Sequence, residues 1–134
     1  MKPHYLFSLL DAPPYQFFSL PLRRNYDKST GMIIYNTTYH VHNSVDAQFR
    51  EFIKTVFVPR AIESGVLSSP RLALIMARQE GDEGLSYSLQ FNAATLDELQ
   101  KWYHTTGTEL LDEITRRFNT SVMGFSTLMS DIEI

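Results

Sequence analysis

From residue 32 onward the spacing of apolar positions alternates between a period of two and a helical period, and each switch marks an element. "MIIYNTTYHV" (Met32 to Val41) alternates over its whole length and is dense in β-branched and aromatic residues, so it predicts a strand. One side carries Ile33, Tyr35, Thr37, Tyr39 and Val41; the other carries Ile34, Asn36, Thr38, His40 and His42. The period then lengthens. Val45, Phe49, Phe52, Ile53, Val56 and Phe57 recur at helical spacing, which predicts a helix over 44–64. Ser44 is its expected N-cap and Asp46 suits the positive first turn. Pro59 is expected to kink it or to start a new segment, and Gly65 to end it.

"PRLALIMARQ" (Pro70 to Gln79) predicts a second strand, with Ser68 and Ser69 as loop residues before it. "EGDEG" (Glu80 to Gly84) is a charged, glycine-bounded hairpin turn. "LSYSLQFNA" has the cleanest alternation in the chain. It sets Leu85, Tyr87, Leu89 and Phe91 against Ser86, Ser88, Gln90 and Asn92. A second helix follows over 95–118, opened by a Thr95/Glu98 capping box. Its apolar stripe runs through Leu96, Leu99, Tyr103, Leu110, Leu111, Ile114 and Phe118, and Arg116 and Arg117 suit its last turn. Gly107 lies on the stripe at a cost of about 1 kcal/mol against alanine, so the helix should loosen there or approach the sheet closely. "SVMGFSTLM" (Ser121 to Met129) predicts a last strand.

The resulting order is β-α-β-β-α-β. Right-handed crossovers leave it few arrangements, and the favoured one is an α+β, ferredoxin-like split βαβ: a four-stranded antiparallel sheet with two helices on one face. A length of 134 residues fits one domain. The chain has no cysteine, which excludes disulfides, thiolate metal ligands and cysteine nucleophiles. No apolar run approaches the roughly 18 residues of a membrane span. "YLFSLL" is too short and too quickly interrupted for a secretory signal, so a cytoplasmic protein is expected.

Residues 1–31 differ from the rest. They hold no sustained period and four of the six prolines, which argues against a regular element. They carry four basic and two acidic side chains, while residues 32–134 carry eight basic and thirteen acidic, together the overall −3. An acidic body lacks the electrostatic footprint of a nucleic-acid binder. The segment is rich in aromatics, which is unusual for a flexible tail. It is read either as a leader from a start assigned upstream of Met32, the favoured reading, or as an arm packed on a 32–134 domain.

"MIIYNTTYHV", "VPRAIESGVLSSPRL", "SYSLQF" and "RRFNTSVMGFSTLM" together resemble a family of small uncharacterised bacterial proteins, classed as a domain of unknown function. The resemblance spans about residues 32–130. It implies a start at Met32, a fold of the dimeric α/β barrel group, and no established activity. That group includes small monooxygenases, an analogy at the level of fold.

If the helices cover the apolar sheet face, the other face presents Asn36, Thr38, His40, Ser86, Ser88, Gln90 and Asn92. Such a face is wet in a monomer and lines a polar cavity in a face-to-face dimer. The primary expectation is a homodimeric module of no defined activity. The alternative is a cofactor-free small-molecule enzyme or binder with Asn36, Thr38, His40, Ser88 and Gln90 as its ligand-binding set. His40 is then the candidate general base, since histidine titrates near neutrality. His40 and His42 form an H-x-H pair, but sequence supplies no third ligand, so neither a metal nor another cofactor is expected. Core packing accounts for Tyr35, Tyr39, Tyr87 and Phe91 better than base stacking does, because the strand lacks the basic and paired aromatic residues of an RNA-recognition motif. Arg71 and Arg78 are expected to pair with acidic neighbours, with binding of an anion as the alternative.

Overall fold

The computed structural model describes residues 32–76 and 81–134. The two readings of residues 1–31, the end of "PRLALIMARQ" with Arg78, and the start of the hairpin turn lie outside the described residues. Among the described residues four strands form one antiparallel sheet: β1 (Ile33–His42), β2 (Leu67–Ile75), β3 (Gly84–Ala93) and β4 (Val122–Ser130). Their spatial order is β2-β3-β1-β4. Helix α1 spans 46–62 and α2 spans 96–118. Both pack on the face that carries Tyr35, Tyr39, Val41, Leu89 and Phe91, which are buried together with Phe49, Phe52, Leu99, Trp102 and Leu110.

The alternation in β1 and β3 explains this layering. Tyr35 lies opposite Phe91, Thr37 opposite Leu89 and Tyr39 opposite Tyr87 in register, so the apolar positions of adjacent strands make one surface. Aromatic rings from the helices close on it. Phe49 meets Tyr39 edge-on at 5.3 Å between ring centres, and Phe57 stacks on Phe91 at 6.4 Å. Burying each such side chain stabilises the fold by about 1.5–3 kcal/mol. Thr37 is the polar exception on this face. Its hydroxyl pairs with that of Ser126 across β1 and β4 at 2.8 Å, so neither is buried unsatisfied.

Several local expectations are corrected. Ser44 does not cap the first helix. The imidazole Nδ1 of His42 accepts the backbone N–H of Ser44 at 3.1 Å and caps a short 3₁₀ turn, Asn43–Val45, and the α-helix starts at Asp46. Pro59 stands in the first turn of a new α-helical segment, Val58–Ile62, the second of its two expected outcomes. The helix widens into a π turn over Ile53–Phe57, and Pro59 follows it, where its missing N–H falls beside a ladder already rearranged. Helix α2 widens in the same way over Tyr103–Gly107. In both turns a threonine hydroxyl donates to the carbonyl four residues back, Thr55 to Glu51 at 2.7 Å and Thr105 to Lys101 at 2.9 Å. That competing bond loosens the i→i−4 ladder. Gly107 makes its close approach within its own helix rather than to the sheet. A Cβ there would lie 2.8 Å from Cζ3 of Trp102.

Strand β2 begins at Leu67, earlier than expected. Ser68 and Ser69 lie within it at a bulge between Ser68 and Arg71, and Ser69 adopts a positive φ of 52°. The Thr95 cap and the Gly65 terminator stand as expected. Glu98 donates its N–H to Thr95 Oγ1 at 3.2 Å, and Gly65 has φ 84°. Arg116 and Arg117 close α2 against Asp112 and Glu113, and these two guanidinium groups hold the Glu113 carboxyl below its ordinary pKa.

Candidate functional site

Among the described residues no helix covers the second sheet face. Strands β1 and β3 place the expected polar set there in adjacent rows, with Asn36 opposite Gln90, Thr38 opposite Ser88 and His40 opposite Ser86. Strand pairing at about 4.5–5.5 Å between facing Cβ atoms brings these side chains into bonding range. Ser88 Oγ donates to Asn36 Oδ1 at 2.5 Å, and Asn36 Nδ2 donates to Thr38 Oγ1 at 3.3 Å. The Asn36 amide is thereby fixed in orientation, and only 9% of the residue is exposed. Gln90 and Ser88 continue into an open depression of about 230 Å³, bounded also by Arg71 and Ala73 on β2.

His40 stands at the other end of the row. Its Nδ1 shares a hydrogen bond with Ser86 Oγ at 3.2 Å, and its Nε2 lies 4.0 Å from Asp82 Oδ1 in the hairpin turn. Gly84 makes the room. A Cβ there would run into the Val41 carbonyl oxygen and lie 3.0 Å from His40 Nε2. A serine, a histidine and an aspartate thus meet at one corner of the sheet, a group able to relay a proton between a hydroxyl and solvent. His42 does not join it. Besides capping the turn, its ring bonds Ser44 Oγ at 2.8 Å and lies 3.9 Å from Glu83.

Four of the five expected residues, Asn36, Thr38, Ser88 and Gln90, therefore form one patch, and His40 flanks it with partners of its own. Ser86 shared the polar face in the sequence pattern, but its link to His40 follows only from the register. Asp82 was missed, because a turn residue carries no period that aims it at a strand. The face is also more apolar than the β1–β3 pattern implies. Strand β4 adds Met123, Phe125, Thr127 and Met129 opposite His40, Thr38, Asn36 and Ile34. Phe125 and Met129 remain 40% and 37% exposed.

Two α-helices on one face of an antiparallel β2-β3-β1-β4 sheet define a ferredoxin-like α+β domain. Solved structures share this architecture. An ethyl tert-butyl ether d (ethd) family protein from Bacillus halodurans C-125 is 17% identical over 77% of this chain and 99% of its own, with a TM-score of 0.52. A candidate antibiotic biosynthesis monooxygenase from Caulobacter crescentus CB15 is 16% identical over 78% of this chain and 92% of its own, with a TM-score of 0.55. No curated protein matches the sequence. The chain belongs to the family called domain of unknown function DUF4286, whose model matches residues 32–132.

Proposed function

We propose that this protein is a cytoplasmic homodimeric module in which two copies pack open sheet face to open sheet face. The observation that carries this reading is the composition of the face that no helix covers among the described residues. A hydrogen-bonded polar row, Asn36–Thr38–Ser88, is flanked by exposed Phe125 and Met129 on β4. Large apolar side chains exposed on a sheet face favour removal from water. The polar row bonds within its own chain, which lowers the cost of enclosing it. Light scattering on the full chain tests this. The expected mass is twice 15.5 kDa. A Phe125→Glu variant, folded by circular dichroism, should fall to the single-chain mass because it would bury a carboxylate. A monomeric parent protein, or a dimer indifferent to Phe125→Glu, would refute the reading.

A second reading, binding of a small polar molecule within that face, is favoured by the depression beside Ser88 and Gln90 and by the Ser86–His40–Asp82 corner. Asn36 and Thr38 then fix the floor, and His40 takes or gives a proton. Mass spectrometry of the protein under native conditions checks it. A co-purifying molecule that is lost in Ser88→Leu supports this reading, and a mass equal to the bare chains counts against it.

A further inference from the structure

The sheet carries almost no charge. Residues 32–134 hold eight basic and thirteen acidic side chains, yet Arg71 is the one lysine, arginine, aspartate or glutamate within β1, β2, β3 and β4. The carboxylates of the described residues stand on the helices and in the segments that join or follow the elements. Register sets Arg71 opposite Gln90 and Ala73 opposite Ser88, which puts Arg71 on the open face. There it bounds the depression of about 230 Å³ together with those three residues. Arg71 has no acidic partner among the described residues, contrary to the pairing expected for it.

The groups beside it are complementary. The Gln90 side-chain amide makes no hydrogen bond among the described residues, so its N–H groups are open to a ligand. Ser88 Oγ gives its proton to Asn36 Oδ1, so toward the depression it can only accept. The methyl group of Ala73, opposite Ser88, leaves room that a longer side chain would fill. A guanidinium presents its donors as a planar fork that matches a carboxylate. We propose that this depression binds a small carboxylate bearing a hydroxyl group. The carboxylate lies on the Arg71 fork and the Gln90 amide, and the hydroxyl donates to Ser88 Oγ. A volume below the roughly 300–1,000 Å³ of drug-sized pockets suits a molecule of a few atoms. This names the ligand class of the small-molecule reading given above and rests on it. The dimer reading adds a reason. A second copy laid on this face would take Arg71 out of water, and its strands, identical in sequence, bring no carboxylate to meet it. An enclosed charge without a partner is costly, and a carboxylate from solution removes that cost.

Titration of the isotope-labelled full chain with lactate, followed by NMR, tests the proposal, with lactamide as the uncharged control of matched shape. Saturable lactate binding is expected, with the Gln90 side-chain amide and the Arg71 Nε–H among the signals that move. Lactamide should bind roughly tenfold or more weakly, and Arg71→Gln should weaken lactate by a similar factor, as loss of a charge-assisted contact predicts. Arg71→Lys keeps the charge without the fork and should recover only part of that loss. Arg71 is exposed, so both variants should keep a melting temperature close to that of the parent protein. Lactamide binding as tightly as lactate, with both lost in Ser88→Leu, would overturn the carboxylate assignment and leave the polar site standing. No saturable lactate binding, or an undiminished affinity in Arg71→Gln, would overturn it as well, and the co-purification measurement then decides the small-molecule reading separately.

Discussion

Replacing Gly107 with alanine sets two effects of opposite sign against each other. The backbone there is helical, φ −60° and ψ −47°, so alanine fits without strain and gains about 1 kcal/mol in helix propensity. The methyl group, however, would stand 2.8 Å from Cζ3 and 3.2 Å from Cε3 of Trp102, and 3.4 Å from Cδ1 of Tyr103. The indole has little freedom to move away. Its Nε1 donates to the Ala61 carbonyl of the other helix at 2.9 Å, and Tyr35 meets it edge-on at 5.7 Å. Overpacking costs about 1–3 kcal/mol. If the ring slides far enough to break the bond to Ala61, an unsatisfied buried group adds about 1–3 kcal/mol. Packing therefore outweighs propensity, and Gly107→Ala should destabilise the protein by about 1–3 kcal/mol. In a domain of this size that lowers the melting temperature on the order of 5–15 °C. Trp102 is the single tryptophan, so its emission spectrum reports the displacement directly, and thermal unfolding by circular dichroism gives the stability. A higher melting temperature with an unchanged emission spectrum would refute the packing account.

Two further outcomes follow from the buried tyrosines. The Tyr39 hydroxyl is fully buried without a partner among the described residues, and the neighbouring Thr37 hydroxyl is bonded to Ser126. Tyr39→Phe should therefore leave stability unchanged or raise it by about 1 kcal/mol; urea unfolding checks this, and a clear loss would reveal a bond to that oxygen. Burial raises the pKa of Tyr35, Tyr39, Tyr87 and Tyr103 above the ordinary value. Tyrosines in the unfolded chain ionise first, near pH 10, so the stability these groups contribute is complete below that pH and is lost as pH rises further. The urea midpoint should fall steadily above pH 10, and a flat profile there would contradict the burial of these four hydroxyls.

Most of the fold was legible because it rests on period. The alternation in Met32–Val41 and in Leu85–Ala93 identified the core face residue by residue, and the helical stripes placed Phe49, Phe52, Leu99 and Leu110 against it. The π turns were hidden for the same reason: the buried positions 49, 52, 53, 57 and 61 keep ordinary helical spacing through the widening. The candidate site was half legible. Faces follow from sequence, but contacts follow from register, so Asn36, Thr38, Ser88 and Gln90 could be grouped while the Ser86–His40–Asp82 corner could not. His42 differs again. A histidine that caps a turn through its ring nitrogen looks in sequence like half of a metal pair.

Strand β2 ends the sheet on one side, with Leu74 and Met76 reaching into solvent from it. An outer strand of this kind can recruit a strand from another chain, a first step toward aggregation. Here the run open to such recruitment is short. Pro70 has no N–H to offer, and the bulge and left-handed Ser69 turn the backbone aside immediately before it. Among the described residues only Arg71–Ile75 follows the bulge as a straight ladder against β3. A straighter strand, made by replacing Ser69 and Pro70 with β-branched residues, would lengthen that ladder and lower the concentration the protein tolerates before it precipitates.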